Sequence, residues 1–105
     1  MIAYVAWVYI MTNETQSVLY TGFTTDLPSR EWEHSTKQNP SSFTARYNAK
    51  RLVYYQGFLS VSEAESAEKY IKGKKREWKR ALITKHNPGW WDLSVELNRF
   101  SKSLL

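Results

Sequence analysis

The pattern of hydrophobic residues in the first half of the chain predicts three strands. Residues 4–11 are mostly β-branched or aromatic, which is typical of a well-buried strand. A second such run follows at 18–24 after a short polar stretch at 12–17, so the two runs are expected to form an antiparallel hairpin. Residues 51–58 predict the third strand.

The hairpin contains two tyrosines eleven positions apart, and its register decides how they meet. If the turn centres between Glu14 and Thr15, Tyr9 pairs directly with Tyr20 on one face of the sheet. A shift of one residue would put the two side chains on opposite faces. Gly22 interrupts the second strand and predicts a bulge or the close approach of a ligand's backbone.

Capping signals predict a helix after the hairpin. Asp26 is suited to cap it, and Pro28 fits its first turn. This helix is expected to end near Ser35, and the polar stretch at 36–44 then predicts a loop.

Two helical pieces are predicted after the third strand. Ser62 and Glu65 form a capping box where the first piece begins, and Gly73 predicts a break between the pieces. The second piece is expected to end before the turn signal at Asn87-Pro88-Gly89. The side chains expected to face the core from the second piece and the segment after it are Trp78, Ala81, Leu82, Trp90, Trp91 and Leu93.

The order of the elements predicts an α+β domain, a three-stranded antiparallel β-sheet flanked by helices. With 105 residues, the chain is expected to form one domain, with a core at about 4–93 and a C-terminal extension at 94–105. No apolar run approaches the roughly 20 residues of a membrane-spanning helix. The absence of cysteine excludes disulfides and thiolate catalysis. We therefore expect a cytoplasmic protein without a membrane partner.

The charge distribution favours a polyanionic partner. The formal net charge is +5, and residues 69–85 carry eight basic side chains against one acid, Glu77. Acidic residues precede this basic run, an arrangement that also suits a helix dipole. Two interpretations therefore stay open, a solvated helix face and a nucleic-acid surface.

Five segments, taken in order along the chain, resemble the GIY-YIG nuclease superfamily, in its small single-domain bacterial branch. They are Val8-Tyr9-Ile10, Tyr20-Thr21-Gly22, the residues from Asp26 to His34, those from Glu63 to Gly73, and Asn87-Pro88 with Trp90. The resemblance extends from about Tyr4 to Leu93 and implies a GIY-YIG-like fold and a metal-dependent endonuclease activity.

The resemblance implies a role for each matching residue. Tyr9 and Tyr20 match the tyrosines of the two motifs, and Arg30 matches the family's helix arginine. Glu68 matches the glutamate that holds a single divalent metal, Mg²⁺ or Mn²⁺. His34 lies one helical turn after Arg30 and is expected to assist proton transfer or to contact phosphate.

These residue types suit hydrolysis of a phosphodiester by an activated water. The planar guanidinium of Arg30 can grip a phosphate oxygen, and one carboxylate with phosphate and waters is a normal magnesium shell. A tyrosine, with an ordinary pKa of about 10, needs a nearby positive charge to act as a base. We favour Tyr9 as the base and Tyr20 as its orienting partner, with exchanged roles as the open alternative.

Each candidate also has a purely structural interpretation. Tyrosines on paired strands usually pack against each other, and Glu68 with Lys72 four residues later is typical of a helix ion pair. The chain also departs from the family pattern at three positions, and a late asparagine found in some branches is matched by Asn87. The departures are Trp7, Thr21 and Ser29.

The sequence thus predicts a metal-dependent nuclease acting on DNA. The side chains predicted to bind the nucleic acid are Arg30, Lys72, Lys74, Lys75 and Arg76. The first alternative is a non-catalytic nucleic-acid-binding module of the same fold. The second is an interaction protein whose exposed aromatic residues contact another protein.

Overall fold

A computed structural model describes residues 3–27 and 43–96 and contains a three-stranded antiparallel sheet. Strand β1 (Ala6–Thr12) lies in the centre, between β2 (Leu19–Thr24) and β3 (Arg51–Phe58). The predicted α+β class is confirmed, and the predicted third strand has the observed bounds.

Helices with both ends among the described residues follow the hairpin and β3. They are the short α1 (Phe43–Arg46), then α2 (Val61–Lys72) and α3 (Arg76–His86). The helix predicted between Asp26 and Ser35 lies outside the described residues except for its first positions, as does most of the loop predicted at 36–44. No helix in the described parts of the chain has the length and apolar character needed to cross a membrane.

Side chains from β1 build a core on each face of the sheet. On one face Ala6, Val8 and Ile10 pack against α2 and α3. On the other face Tyr9 and Met11 pack in a second buried cluster. The second cluster also contains Leu27, Ala49 and Leu52, with Trp7, Tyr20, Tyr55 and Leu93 packed against it. The alternation along β1 therefore separates a helix-covered face from a face that carries both motif tyrosines.

The predicted pairing of Tyr9 with Tyr20 is wrong by two residues. Tyr9 pairs with Gly22, and Tyr20 pairs with Met11. The turn is centred one residue later than predicted, with Gln16 at a positive φ of 58°. A shift of two residues leaves both tyrosines on the same face, because side chains alternate with a period of two.

Hydrogen bonds from Asn13 explain why the turn is displaced. Its Oδ1 accepts from the backbone N–H groups of Ser17 and Val18, at 2.9 and 3.2 Å. Its Nδ2 donates to the Ser17 hydroxyl at 2.8 Å. A loop organised by one asparagine side chain keeps residues 13–18 out of the ladder, so strand pairing begins only at Leu19.

The prediction of Ser62 as the cap of α2 is also wrong. The N-cap is Ser60, whose hydroxyl accepts from the backbone N–H of Glu63 at 3.1 Å. Ser60 and Glu63 have the same spacing as Ser62 and Glu65, so the sequence contains two overlapping capping boxes. The first one is used because β3 ends at Phe58 and leaves Ser60 with the extended backbone that a cap needs.

The two serines give a matched test of this cap. We expect Ser60→Ala to lower the free energy of unfolding by about 1 kcal/mol, since the N–H of Glu63 loses its acceptor. Ser62→Ala removes an exposed side chain inside the helix and should change it by less than about 0.5 kcal/mol. Urea denaturation of both variants measures the difference. Equal losses would place the cap elsewhere.

Gly73 ends α2, and the break predicted there is confirmed. The core-facing side of α3 differs from the prediction, because Ile83 is its buried residue and Leu82 packs beside it. Trp78 and Ala81 are exposed instead of facing the core. At 100° per residue Trp78 lies about 140° around the helix from Ile83, so both cannot face the sheet.

The segment after α3 places its two tryptophans differently. Trp90 is buried as predicted, and its Nε1 donates to the Thr84 hydroxyl at 2.9 Å. Trp91 does not fold onto the body and is 74% exposed. Trp90 has a positive φ of 52°, and the Trp91 ring that follows lies against Gly89.

Candidate active site

The phenol of Tyr9 lies across the edge strand. Tyr9 is only 2% exposed, and its ring covers Gly22, the residue of β2 that pairs with Tyr9. A Cβ placed on Gly22 would lie 2.4 Å from both Cζ and Oη of Tyr9, closer than any side chain tolerates. Gly22, which was predicted to mark a bulge or the close approach of a ligand's backbone, is therefore in contact with the hydroxyl end of the Tyr9 side chain. Since β2 is an edge strand, this hydroxyl lies at the edge of the sheet.

Tyr20 accompanies Tyr9 at this edge. It precedes Gly22 by two residues on the same face of β2, and the ring centroids of the two tyrosines are 6.2 Å apart, with a tilt of 43°. Tyr20 is half-buried, whereas Tyr9 is almost fully enclosed. The structure thus brings the two predicted tyrosines together and leaves Tyr20 as the more accessible phenol.

Two of the three departures from the motif pattern fall on different faces of the sheet. Trp7 packs in the cluster that contains Tyr9. Thr21 pairs with Ile10, a residue of the helix-covered face, so its side chain points away from the phenols. Its buried hydroxyl has no hydrogen-bond partner in the described structure. Thr21 therefore does not disturb the tyrosine pair. The third departure, Ser29, lies outside the described residues.

Glu68 reaches the sheet from the other side. Helix α2 packs across β1 and β2, with Ala64 and Ile71 buried in the helix-side core. Glu68 lies one turn after Ala64, its side chain is 20% exposed, and Oε1 lies 3.0 Å from Nζ of Lys72. The helix ion pair that the sequence offered as a structural interpretation is therefore present. The helix that carries Glu68 packs on the face of the sheet opposite to the two tyrosines.

The carboxylate ligands that the described residues offer suit a magnesium ion better than a metal enclosed by protein side chains. The described residues contain no group of three or more His, Asp or Glu side chains that could enclose a metal ion. Magnesium keeps several waters and binds through one or two carboxylates together with substrate phosphate. The partly exposed Glu68 fits this demand, with Lys72 as the charge that the metal would compete with.

Arg30 and His34, two of the five predicted catalytic residues, lie outside the described residues. The predicted nucleic-acid-binding residues on the helices differ in what their side chains contact. Lys72 pairs with Glu68, Lys74 lies over two aromatic rings, and Lys75 is exposed at the start of α3.

Arg76 has a structural partner that the sequence did not indicate. Its Nη1 donates to the carbonyl oxygen of Ser17 at 2.7 Å. One turn later, Nη1 of Arg80 donates to the carbonyl oxygen of Gln16 at 3.1 Å, and its guanidinium lies 4.7 Å from the centre of the Trp90 ring. These two arginines fasten α3 to the hairpin loop. Their spacing of four residues was the available signal, but it is equally typical of a basic surface.

Asn87, which was predicted to match a late family asparagine, has a structural role here. It is 5% exposed, and its Nδ2 donates to the carbonyl oxygens of Val53 and Trp91 at 3.1 and 2.9 Å. Its Oδ1 accepts from the backbone N–H of Trp91 at 3.1 Å. Both amide hydrogens are used within the protein, so Asn87 holds the turn after α3 against β3.

Two other tyrosines are unsuited to act as bases. Burial raises the pKa of Tyr54, and burial together with a hydrogen bond to Glu96 raises the pKa of Tyr55. The Tyr55 hydroxyl donates to Oε2 of Glu96 at 3.1 Å. Both phenols therefore stay protonated at neutral pH, and their rings pack with the two buried clusters of the sheet.

An open polar cleft lies at the end of the sheet where β1 ends and β3 begins. Its volume is about 530 Å³, and its lining includes Glu14, Lys50, Arg51 and Asp92. The positive charges of Lys50 and Arg51 are balanced by Glu14 and Asp92, and none of the predicted site residues within 3–27 and 43–96 lines the cleft. The two motif tyrosines lie instead beside the edge strand β2.

Comparisons with known proteins agree with the motif. The family model of the GIY-YIG catalytic domain matches residues 5–81. A UPF0213 protein of Streptococcus pneumoniae is 36% identical over 81 residues, which cover 77% of this chain and 80% of the relative. A UPF0213 protein of Streptococcus agalactiae is 36% identical over 86 residues, covering 82% and 96%.

A more distant organism supplies a similar match. A UPF0213 protein of Haloquadratum walsbyi is 37% identical over 76 residues, covering 72% of this chain and 83% of the relative. No solved structure matches the chain significantly. The family match spans the hairpin, β3, α2 and the first half of α3, and therefore includes both tyrosines and Glu68. The chain belongs to the GIY-YIG nuclease superfamily, in the branch of small UPF0213 proteins.

Proposed function

We propose that the protein is a metal-dependent nuclease that hydrolyses phosphodiester bonds of DNA at the edge of β2. The observation that carries this proposal is the phenol of Tyr9 resting on Gly22 beside Tyr20. Aromatic rings also cover Gly57 and Gly89, so the contact with Gly22 supports the proposal through its place beside Tyr20 in the motif. The close approach to Gly22 holds one hydroxyl in a fixed position next to an edge strand, as a positioned catalytic group requires.

The difference in burial supports different roles for the two tyrosines. A general base must lie within hydrogen-bond reach of the water that it activates. Tyr20 is half-buried, so its hydroxyl meets solvent more readily than that of the enclosed Tyr9. We therefore assign Tyr20 as the base and Tyr9 as its orienting partner, the exchanged form of the roles favoured from the sequence.

Glu68 would hold the divalent metal. Its carboxylate is partly exposed, forms an ion pair with the ammonium of Lys72, and belongs to a helix that packs across β1 and β2. When bound, Mg²⁺ or Mn²⁺ supplies stabilisation of the charge that develops on the phosphoryl oxygens. The site would form around the β2 edge, with the phenols on one side and Glu68 approaching from the other.

Arg30 and His34 complete the proposal on the strength of the motif. A guanidinium ten residues after Tyr20 would grip a non-bridging phosphate oxygen, and His34 would contact phosphate or pass a proton. The lysines at the α2–α3 junction, Lys72, Lys74 and Lys75, would bind the DNA backbone. The guanidinium of Arg76 has further N–H donors besides the one that bonds to the carbonyl of Ser17, so Arg76 can also bind the DNA backbone.

Conservative variants of the two tyrosines test the assignment. We expect Tyr20→Phe to lower the single-turnover rate of DNA cleavage about a hundredfold, because the phenolic proton acceptor is lost while the ring remains. Tyr9→Phe should lower it less and should shift the pH–rate profile. Both variants should melt within a few degrees of the native protein. A Tyr20→Phe protein that cleaves at the native rate would overturn this assignment.

A further inference from the structure

An exposed aromatic pair spans the junction between α2 and α3. Tyr70 is 58% exposed and Trp78 is 37% exposed. Their ring centroids are 5.7 Å apart, with an interplanar angle of 82°. The pair lies outside both buried clusters, so it is not explained by the packing of the core.

The positions of the two rings on their helices keep them on the outer surface. Tyr70 adjoins Ile71, which is buried, but at 100° per residue it points about a quarter turn or more away from the core. Trp78 lies about 140° around α3 from Ile83. Two large aromatic side chains that are presented to solvent side by side are a feature of binding surfaces.

Lys74 places a positive charge against this pair, within a strongly basic stretch of the chain. Nζ of Lys74 lies 4.3 Å from the centre of the Tyr70 ring and 5.5 Å from that of the Trp78 ring. Residues 69–85 contain eight basic side chains and one acid. An apolar protein partner would have to desolvate these charges, whereas a nucleic acid neutralises them through its phosphates.

We propose that Tyr70 and Trp78, with Lys74, form a platform that binds single-stranded nucleic acid. Unpaired bases would stack on the exposed ring faces, while Lys74 and the neighbouring lysines contact the phosphates. Bases of a duplex are already stacked within the helix and cannot use the platform. This inference rests on the proposed function only for the choice of substrate, since it concerns binding and not cleavage.

Binding without metal separates the platform from the active site. Fluorescence anisotropy of a labelled single-stranded 12-mer of dT and of a 12-base-pair duplex, both in EDTA, gives the affinities at low and moderate salt. We expect Trp78→Ala and Tyr70→Ala each to weaken single-strand binding about tenfold and duplex binding less than about twofold. Tyr70→Phe should retain single-strand binding, because the ring is kept.

A matched control is available in Trp91, which is more exposed than either ring but lies outside the platform. Trp91→Ala should leave single-strand affinity unchanged, and circular dichroism should confirm that all variants are folded. If Trp78→Ala does not fold, Tyr70→Ala decides the matter. Native single-strand affinity in the folded Trp78→Ala or Tyr70→Ala protein, or equal losses for single strand and duplex, would overturn the inference. So would binding of anionic lipid vesicles in place of the oligonucleotide.

The two proposals fail in different ways. If the native protein binds the single strand through these rings but yields no product with Mg²⁺, the platform stands and the proposed nuclease function falls. If the protein cleaves DNA while the platform variants bind single strands normally, the nuclease function stands and the platform falls.

Discussion

Replacing Glu68 with glutamine is expected to lower Mg²⁺-dependent DNA cleavage about a thousandfold, roughly 4 kcal/mol of transition-state stabilisation. Glutamine keeps the size of the side chain but loses the anionic oxygen that a hard cation needs. The fold should survive, because the ion pair of Glu68 with Lys72 is partly exposed and such helix pairs contribute only about 0.5 kcal/mol. Single-turnover cleavage with a thermal melt measures both quantities.

Glu65 provides the control for this experiment. It belongs to the same helix but is exposed and lies away from the buried stripe of Ala64 and Ile71. Glu65→Gln changes the net charge equally and should leave cleavage within about twofold of the native rate. A Glu68→Gln protein that cleaves as fast as the Glu65→Gln protein would remove Glu68 from the metal site.

The second large effect is on stability, and it comes from Gly22. An alanine there would place its Cβ 2.4 Å from Cζ and Oη of Tyr9, whose ring is enclosed and has little room to move. We expect Gly22→Ala to lower the free energy of unfolding by about 2–3 kcal/mol through overpacking. It should also impair cleavage, because Tyr9 must leave the position next to Tyr20.

Urea denaturation of a double mutant identifies the cause. In a Tyr9→Ala background the ring is gone, so Gly22→Ala should cost much less than it does in the native protein. Gly73→Ala is the matched control, because its nearest neighbour would lie 3.5 Å away and its φ of −76° suits any residue. That change should be neutral or slightly stabilising. Equal costs of Gly22→Ala in both backgrounds would rule out contact with Tyr9 as the cause.

Periodicity predicted the strands well, but it did not determine how they pair. Apolar runs identify buried strands, and the parity of Tyr9 and Tyr20 correctly placed both on one face. The register depended on a loop organised by Asn13, and side-chain hydrogen bonds to the backbone of Ser17 and Val18 leave no hydrophobic pattern to detect. The error of two residues is the smallest one that keeps the parity.

Competing local signals account for the errors in the helices. Ser60 and Ser62 each begin a capping box, and only the end of β3 decides between them. For α3, the aromatic size of Trp78 suggested the core, yet the buried position is held by Ile83. Size alone misleads where a large side chain lies in a basic surface.

The candidate site was predictable in its residue types more than in its geometry. The motif predicted Tyr9, Tyr20 and Glu68 as site residues, but it did not predict that Tyr9 covers Gly22 or that the helix of Glu68 packs on the opposite face. Those relations arise from the pairing of distant segments. The role of Arg76 and Arg80 in holding the hairpin was missed for the same reason, since their partners lie about sixty residues earlier.

The most direct test of the account is cleavage by the native protein itself. Purified protein is incubated with labelled single-stranded, duplex and branched DNA, in Mg²⁺ or in EDTA, beside the Glu68→Gln variant. The account predicts product in Mg²⁺ with at least one substrate, none in EDTA, and almost none with the variant. Binding of DNA without product in Mg²⁺ or Mn²⁺ would contradict it and would identify a non-catalytic nucleic-acid-binding module of the same fold.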